Sequence, residues 1–267
     1  MPEVRVLAIH GCCLGDQPAE RVSRGIKEST ERALRTAGIG AEVHAPFYGD
    51  LLLAYARGEV LEFASASGLE AATDVAQLGG GREQYDEVFR QLAYELSGSS
   101  ALEARLPIPD SVREFAMHNF MKDVATYLTM LRAKDAIWDL IADAWHEIDE
   151  GPDIVVAHSL GTVIMFDLLA RRFDTLSRPT GLLMMGSPLY LGAVKEKVGA
   201  LPGSGLNVGK WLHVYDDGDL IAGGMPISPA YRHATDFEVE NRAFPTSHDY
   251  AGYVNAAARS GLFAQLT

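Results

Sequence analysis

Ile154-Val155-Val156-Ala157-His158-Ser159-Leu160-Gly161-Thr162 is the stretch on which the reading of this chain turns. A β-branched apolar run leads into a serine with small residues two positions before it (Ala157) and two after (Gly161). Helical spacing follows at once through Val163, Ile164, Phe166, Leu168 and Leu169. A short apolar run followed by this period predicts a buried strand turning into a helix. Small flanking residues let the helix fold back over the strand and leave the hydroxyl at the strand's carboxyl end. A strand-to-helix turn with an incidental serine would look the same over nine residues, so the rest of the chain has to decide.

Outward from that turn, the chain alternates. Val4–Ile9 is another continuous apolar run, the mark of a strand covered on both faces. Residues 18–37 carry helical spacing (Val22, Ile26, Ala33, Leu34) with Gly38 as the stop. Further strands are predicted at Ala41–Phe47, Asp153–His158, Gly181–Met185, Trp211–Tyr215 and Asp236–Val239. Strands separated by helices imply an α/β chain, a mainly parallel sheet of about six strands with helices on both faces. The interval from Tyr48 to Gly151 breaks the rhythm. Leu51–Phe63 and Tyr85–Leu96 read as helices of an insertion over residues 48–110, with Gly79-Gly80-Gly81 and Ser97–Ser100 as its joints. Two long helical patterns follow, from Ser111 through Leu131 and through Ile137 to Ile148, whose apolar stripes belong to a core. Residues 1–267 form one domain on this reading.

Composition narrows the function. The chain has 267 residues, 48% of them hydrophobic and 22% charged, enough for a sizeable core. A formal charge of −13 without basic runs argues against nucleic acid, whose phosphates need Lys and Arg. It argues equally against docking on anionic membranes. No apolar run is long enough to span a bilayer, and the first strand begins too early for a secretory leader. The only cysteines, Cys12 and Cys13, are adjacent and do not suggest a disulfide framework, so the expected compartment is the cytoplasm.

A serine hydroxyl is a weak nucleophile without a neighbouring base, normally a histidine oriented by a carboxylate. The strand ending at Tyr215 runs into Asp216-Asp217-Gly218-Asp219. Asp219, which precedes an apolar pair able to anchor the loop, is the leading acid, with Asp217 and then Asp216 behind it. His248 lies in the loop ahead of the closing helix, from which an imidazole can swing onto Ser159. His158 is expected to point away from the serine, His213 lies mid-strand and His233 precedes the last strand. Charge developing on an attacked carbonyl oxygen needs two aimed donors. The amide of Leu160 is one. The loop after the first strand, His10-Gly11-Cys12-Cys13-Leu14-Gly15, offers the amide of Cys12 as the other, with Gly11 permitting close approach. A metal site built on His10, Cys12 and Cys13 lacks a fourth ligand at zinc-like spacing, so neither metal nor cofactor is expected.

Together, His10-Gly11, Ala157-His158-Ser159-Leu160-Gly161, Gly186-Ser187-Pro188, Asp219 and Ser247-His248 resemble the α/β-hydrolase superfamily, especially its lipase- and esterase-like members. The resemblance spans residues 4 to about 260 in the expected order, although residues 48–106 carry no assignable motif. It implies Ser159 as nucleophile, His248 as base, Asp219 as acid, and Cys12 and Leu160 as oxyanion donors, with His10, Gly11 and Gly161 as supporting motif positions. Ala157 stands where the pattern usually has glycine, and two leading strands of the full fold are missing. The implied activity is hydrolysis of a carboxylic ester or related acyl bond of a partly apolar small molecule, the insertion serving as a helical lid. A thioesterase, a cyclising acyltransferase or a lyase could use the same pocket, and an inactive binding protein could use the same fold.

Overall fold

The computed structural model describes residues 3–57, 78–97, 110–171, 175–199, 206–219, 221, 224–241 and 248–267. Six strands form one sheet: β1 (Val4–Ile9), β2 (Ala41–His44), β3 (Ile154–His158), β4 (Gly181–Met185), β5 (Lys210–Tyr215) and β6 (Ala234–Glu238). Their order is β2-β1-β3-β4-β5-β6 and every pairing is parallel. The chain leaves β1 toward β2 on one side and later returns to β3 on the other. The strand order therefore reverses between β1 and β3, where open parallel sheets present a crevice at their carboxyl ends. Register places Ile9 beside Ala157, so the loops after β1 and β3 leave the sheet side by side.

The period of two along each strand divides the core. Leu7, Ile9, Val155, Ala157, Leu182 and Met184 face one layer, whereas Val6, Ala8, Ile154, Val156, Leu183 and Met185 face the other. The second layer consists of α1 (Ala19–Thr36) with the two C-terminal helices, Tyr250–Arg259 and Phe263–Leu266. In α1 the buried residues are Ile26, Thr30, Ala33 and Leu34, one stripe at helical spacing. Gly38 follows the helix with φ +77°, the left-handed conformation that suits a C-terminal stop. The first layer holds the remaining helices: α2 (Gly49–Arg57), α3 (Leu78–Ser97), α4 (Asp110–Thr129), α5 (Leu131–His146), α6 (Leu160–Arg171) and α7 (Gly192–Val198). Continuing in order, Tyr250–Arg259 is α8 and Phe263–Leu266 is α9.

Several polar contacts join the helical block α2–α5 to the rest of the fold, two of them at α6 and α7. Asp167 of α6 is fully buried and accepts from Lys134 Nζ of α5 at 2.7 Å and from Arg171 Nε at 2.5 Å. Lys134 also stands over the Tyr127 and Trp138 rings, so its charge is compensated on several sides. Glu95 of α3 accepts from the backbone N–H groups of Gly192 and Ala193 at 2.6 and 2.9 Å, satisfying the open amino end of α7.

Three boundaries differ from expectation. β2 stops at His44 rather than Phe47, because Pro46 has no N–H for the ladder. Phe47 instead stacks on His10 with ring centroids 5.1 Å apart. β6 begins at Ala234, two residues early, since Ala234 pairs beside Trp211 and is buried there. Gly79, Gly80 and Gly81, expected as a joint, lie inside α3. The expected helix at 51–63 is seen as far as Arg57. The rest of it, and residues 98–100 of the second joint, lie outside the described residues.

Candidate active site

Ser159 sits between β3 and α6 at φ +54°, a left-handed conformation that is uncommon for a residue with a Cβ. The surroundings hold it there. Its N–H donates to Met185 O at 2.9 Å, and its carbonyl accepts from the Thr162 N–H and hydroxyl at 2.9 and 2.7 Å. The tight turn explains the small residues around it. A Cβ at position 161 would lie 2.3 Å from His10 O and 2.9 Å from Ile9 Cγ2, so Gly161 is what lets α6 cross against β1. Ala157 is fully buried in β3, where its methyl belongs to the core.

His248 Nε2 lies 2.7 Å from Ser159 Oγ, and His248 Nδ1 lies 2.7 Å from Asp219 Oδ2. An ionised carboxylate can only accept, so Nδ1 carries the proton and Nε2 presents its lone pair to the serine hydroxyl. Asp219 is fully buried after β5. Besides His248 it accepts from Tyr253 O–H at 2.7 Å through Oδ2 and from Ile221 N–H at 3.0 Å through Oδ1. Three donors thus offset the cost of holding a carboxylate away from water. Ile221, one of the apolar pair, is buried and anchors the loop as expected.

The other two aspartates have separate places. Asp216 accepts from the Gly218 N–H at 2.7 Å and from the Asn241 N–H, and so shapes the loop rather than meeting the imidazole. Burial raises its pKa above the ordinary carboxylate range. Asp217 is exposed. On the opposite side, Asn241 Nδ2 donates to Asp249 O at 3.2 Å, and the Asp249 carboxylate accepts from Gly252 N–H at 2.8 Å as the cap of α8. His248 is held by the residue that opens α8. Ser247 lies outside the described residues.

Gly11 brings the loop after β1 against the serine: a Cβ there would lie 2.7 Å from Ser159 Cβ. The Cys12 amide donates no hydrogen bond among the described residues. Leu160 is the first residue of α6, whose opening N–H groups have no partner within the helix. His10 does not reach the serine. Its Nδ1–H donates to Gly11 O at 2.6 Å and its Nε2 accepts from the Tyr48 N–H at 3.2 Å, while the Tyr48 hydroxyl donates to His10 O at 2.6 Å. Burial lowers the His10 pKa to about 4, which keeps it neutral as a brace for the loop.

The remaining histidines are placed as support. His158 makes no bond to Ser159, but its ring centroid lies 4.7 Å from that of His248, and it packs against that imidazole. Burial, with His248 and His10 nearby, drives its pKa well below the usual histidine value. His213 Nδ1 lies 2.7 Å from Asp236 Oδ1 within the sheet, and His233 is in the turn before β6. Tyr253 is the partner that sequence pattern alone missed. Its spacing marks it as a core position of α8, and only the fold places its hydroxyl on Asp219. Gly186, at φ +53°, leaves room for this meeting; a Cβ there would lie 2.9 Å from Tyr253 and 3.1 Å from Asp219 Oδ2.

A cleft of about 850 Å³ opens over Ser159 and His248, with Leu53, Phe115 and Lys122 on its rim. Cys12, Cys13 and Asp123 also converge there, with one ligand atom from each within 4.8 Å of the others. No protein-family model matches the chain, and no curated protein or solved structure matches it significantly. No described helix is long and apolar enough to cross a membrane.

Proposed function

We propose that this chain is a serine hydrolase of the α/β-hydrolase type, cleaving a carboxylic ester or related acyl bond through an acyl-enzyme. The observation that carries the reading is the continuous chain Ser159–His248–Asp219, both links at 2.7 Å, at the carboxyl edge of a parallel sheet. Ser159 Oγ attacks the carbonyl carbon while His248 Nε2 takes its proton. Asp219, held by Tyr253 and Ile221, fixes the imidazole and stabilises its positive charge. The oxyanion that forms is met by the N–H groups of Cys12 and Leu160. His248 then returns the proton to the leaving oxygen, and a water activated by the same imidazole releases the acid. Helices α2 and α3 act as the lid, and Leu53 of α2 with Phe115 of α4 offers apolar contact to one side of the substrate.

The test is a series of p-nitrophenyl esters of increasing acyl length. The wild-type protein is expected to turn over one or more of them. Ser159→Ala is expected to lose about 10⁶-fold in kcat with its thermal unfolding unchanged. Turnover retained by Ser159→Ala would exclude the mechanism.

A further inference from the structure

The loop that braces the serine also carries a second cluster of reactive groups. Cys12 Sγ and Cys13 Sγ lie 2.7 Å apart, both cysteines free. Asp123, from α4 on the facing wall of the cleft, accepts from the Cys13 backbone N–H at 2.7 Å through Oδ2. That bond fixes the carboxylate beside the thiols rather than leaving it to solvent. Cys13 holds φ +66°, which turns consecutive side chains of the loop toward one point instead of opposite sides. His10, in the same loop, is occupied at both ring nitrogens. The three candidates therefore come from two elements separated by more than a hundred residues of chain, which spacing along the sequence could not reveal.

We propose that Cys12, Cys13 and Asp123 form a three-ligand site for a thiophilic divalent cation of the zinc and cadmium class, and that filling it stops the chemistry at Ser159. Two thiolates and a carboxylate are a donor set that such ions favour, with a fourth position left to water. Binding releases a proton from each thiol; two thiolates and one carboxylate around a 2+ ion leave one net negative charge. Zinc–sulfur bonds of about 2.3 Å in a tetrahedron require sulfurs about 3.8 Å apart, a spread that rotation of the exposed Cys13 side chain supplies. In the metal-free state the hydrogen bond with Cys13, desolvation and the Asp123 carboxylate push the Cys12 thiol up and keep it protonated. A cation at the centre of the cluster favours the thiolate and so displaces that proton. Cys12 lines the same cleft as Ser159, one residue from Gly11, which packs against the serine, so an ion on its sulfur crowds the space an acyl carbonyl must enter. The inhibitory part rests on the hydrolase reading; the binding part does not.

Cadmium is the probe, because its thiolate complexes absorb in the near ultraviolet. The fully reduced full-length protein, titrated with Cd²⁺ at pH 7.5, is expected to develop the thiolate band to a 1:1 endpoint. Ester turnover should fall at least tenfold over the same titration and return on adding EDTA. Cys13→Ser should lose the band, and its ester turnover, whatever its basal level, should no longer respond to Cd²⁺. Asp123→Asn should bind at least tenfold more weakly, with circular dichroism confirming that both variants fold. Absence of a 1:1 band, or an unaltered titration in folded Cys13→Ser, overturns the site. A 1:1 band with undiminished turnover overturns the inhibition. Should the protein hydrolyse no ester at all, the absorbance titration still decides the site while the hydrolase reading fails separately.

Discussion

The carboxyl edge of the sheet and the helical block α2–α5, which reaches the same cleft through α2 and α4, are built on different terms. At the edge, Ser159 and Asp219 each sit within a few residues of a strand end and are tied to backbone, Ser159 to Met185 and Asp219 to Ile221 and Asp216. The loop after β1 is instead held by side chains, the Tyr48 hydroxyl and the Asp123 carboxylate. The block is attached through side chains, chiefly Lys134 on Asp167 and Glu95 on the start of α7. It also carries three large apolar side chains left in the open, Tyr94, Phe115 and Leu131, each more than 70% exposed. The lesson is a division of labour. Parallel strands fix Ser159 and Asp219 because their ends are held by the ladder, whereas the block touches the edge mainly through Asp123 on the loop after β1 and can differ elsewhere in shape and lining.

This contrast can be broken most forcefully at the base. His248→Gln should reduce kcat by about 10⁶-fold on any ester the protein turns over, with its thermal midpoint little changed. Phe115→Ser, on the opposite wall, should alter KM for long acyl chains and leave kcat within about threefold. Comparable losses of kcat in both variants would contradict the division.

The next effect concerns what holds the block down. Lys134→Ala leaves the buried Asp167 with Arg171 and Tyr127 alone. It should destabilise the fold by about 3 kcal/mol in urea unfolding. Per folded molecule, kcat should persist. A loss below about 0.5 kcal/mol would mean that the block is not anchored through this pair.

Acid should act on the sheet side. His10, His158 and His213 lie in or just after β1, β3 and β5, and burial lowers the pKa of each. Their unfolded forms bind protons near the ordinary value of 6.5, the folded forms only at lower pH. Below pH 6.5 the unfolded state therefore takes up more protons, and stability falls as pH drops. For His10, with a folded value of about 4, the loss reaches at most about 3 kcal/mol by pH 4. Urea midpoints at pH 7, 6, 5 and 4.5 should decline steadily. A flat profile would contradict neutral burial of these rings.

The smallest effect sharpens the edge itself. Tyr253→Phe removes the hydroxyl that donates to Asp219 and accepts from the Asp216 N–H. It should cost about 1 kcal/mol of stability and a few-fold in kcat. An unchanged kcat would assign Tyr253 to packing alone.

Much of the edge was legible in the sequence because parallel sheets place loops predictably. A buried run followed by small–x–Ser–x–small fixes where Ser159 stands, and Asp219 was separable from Asp217 by the apolar residue that anchors its loop. Tyr253 was not legible as a partner of Asp219, since nothing along α8 distinguishes a core tyrosine from one whose hydroxyl meets a carboxylate. Asp123 was hidden for a similar reason: it becomes a neighbour of Cys13 only when α4 packs across the cleft. The glycines at 79–81 misled because helix ends accept residues that elsewhere signal a joint, and Pro46 ended β2 early through its missing donor.

The most direct test of the account is covalent capture of the serine. The protein is treated with a fluorophosphonate, its intact mass is measured, and the modified peptide is sequenced. The account predicts one adduct per chain, on Ser159, absent from Ser159→Ala and slowed by more than a hundredfold in His248→Gln. No adduct on the folded wild-type protein, or one that persists on Ser159→Ala, would contradict it.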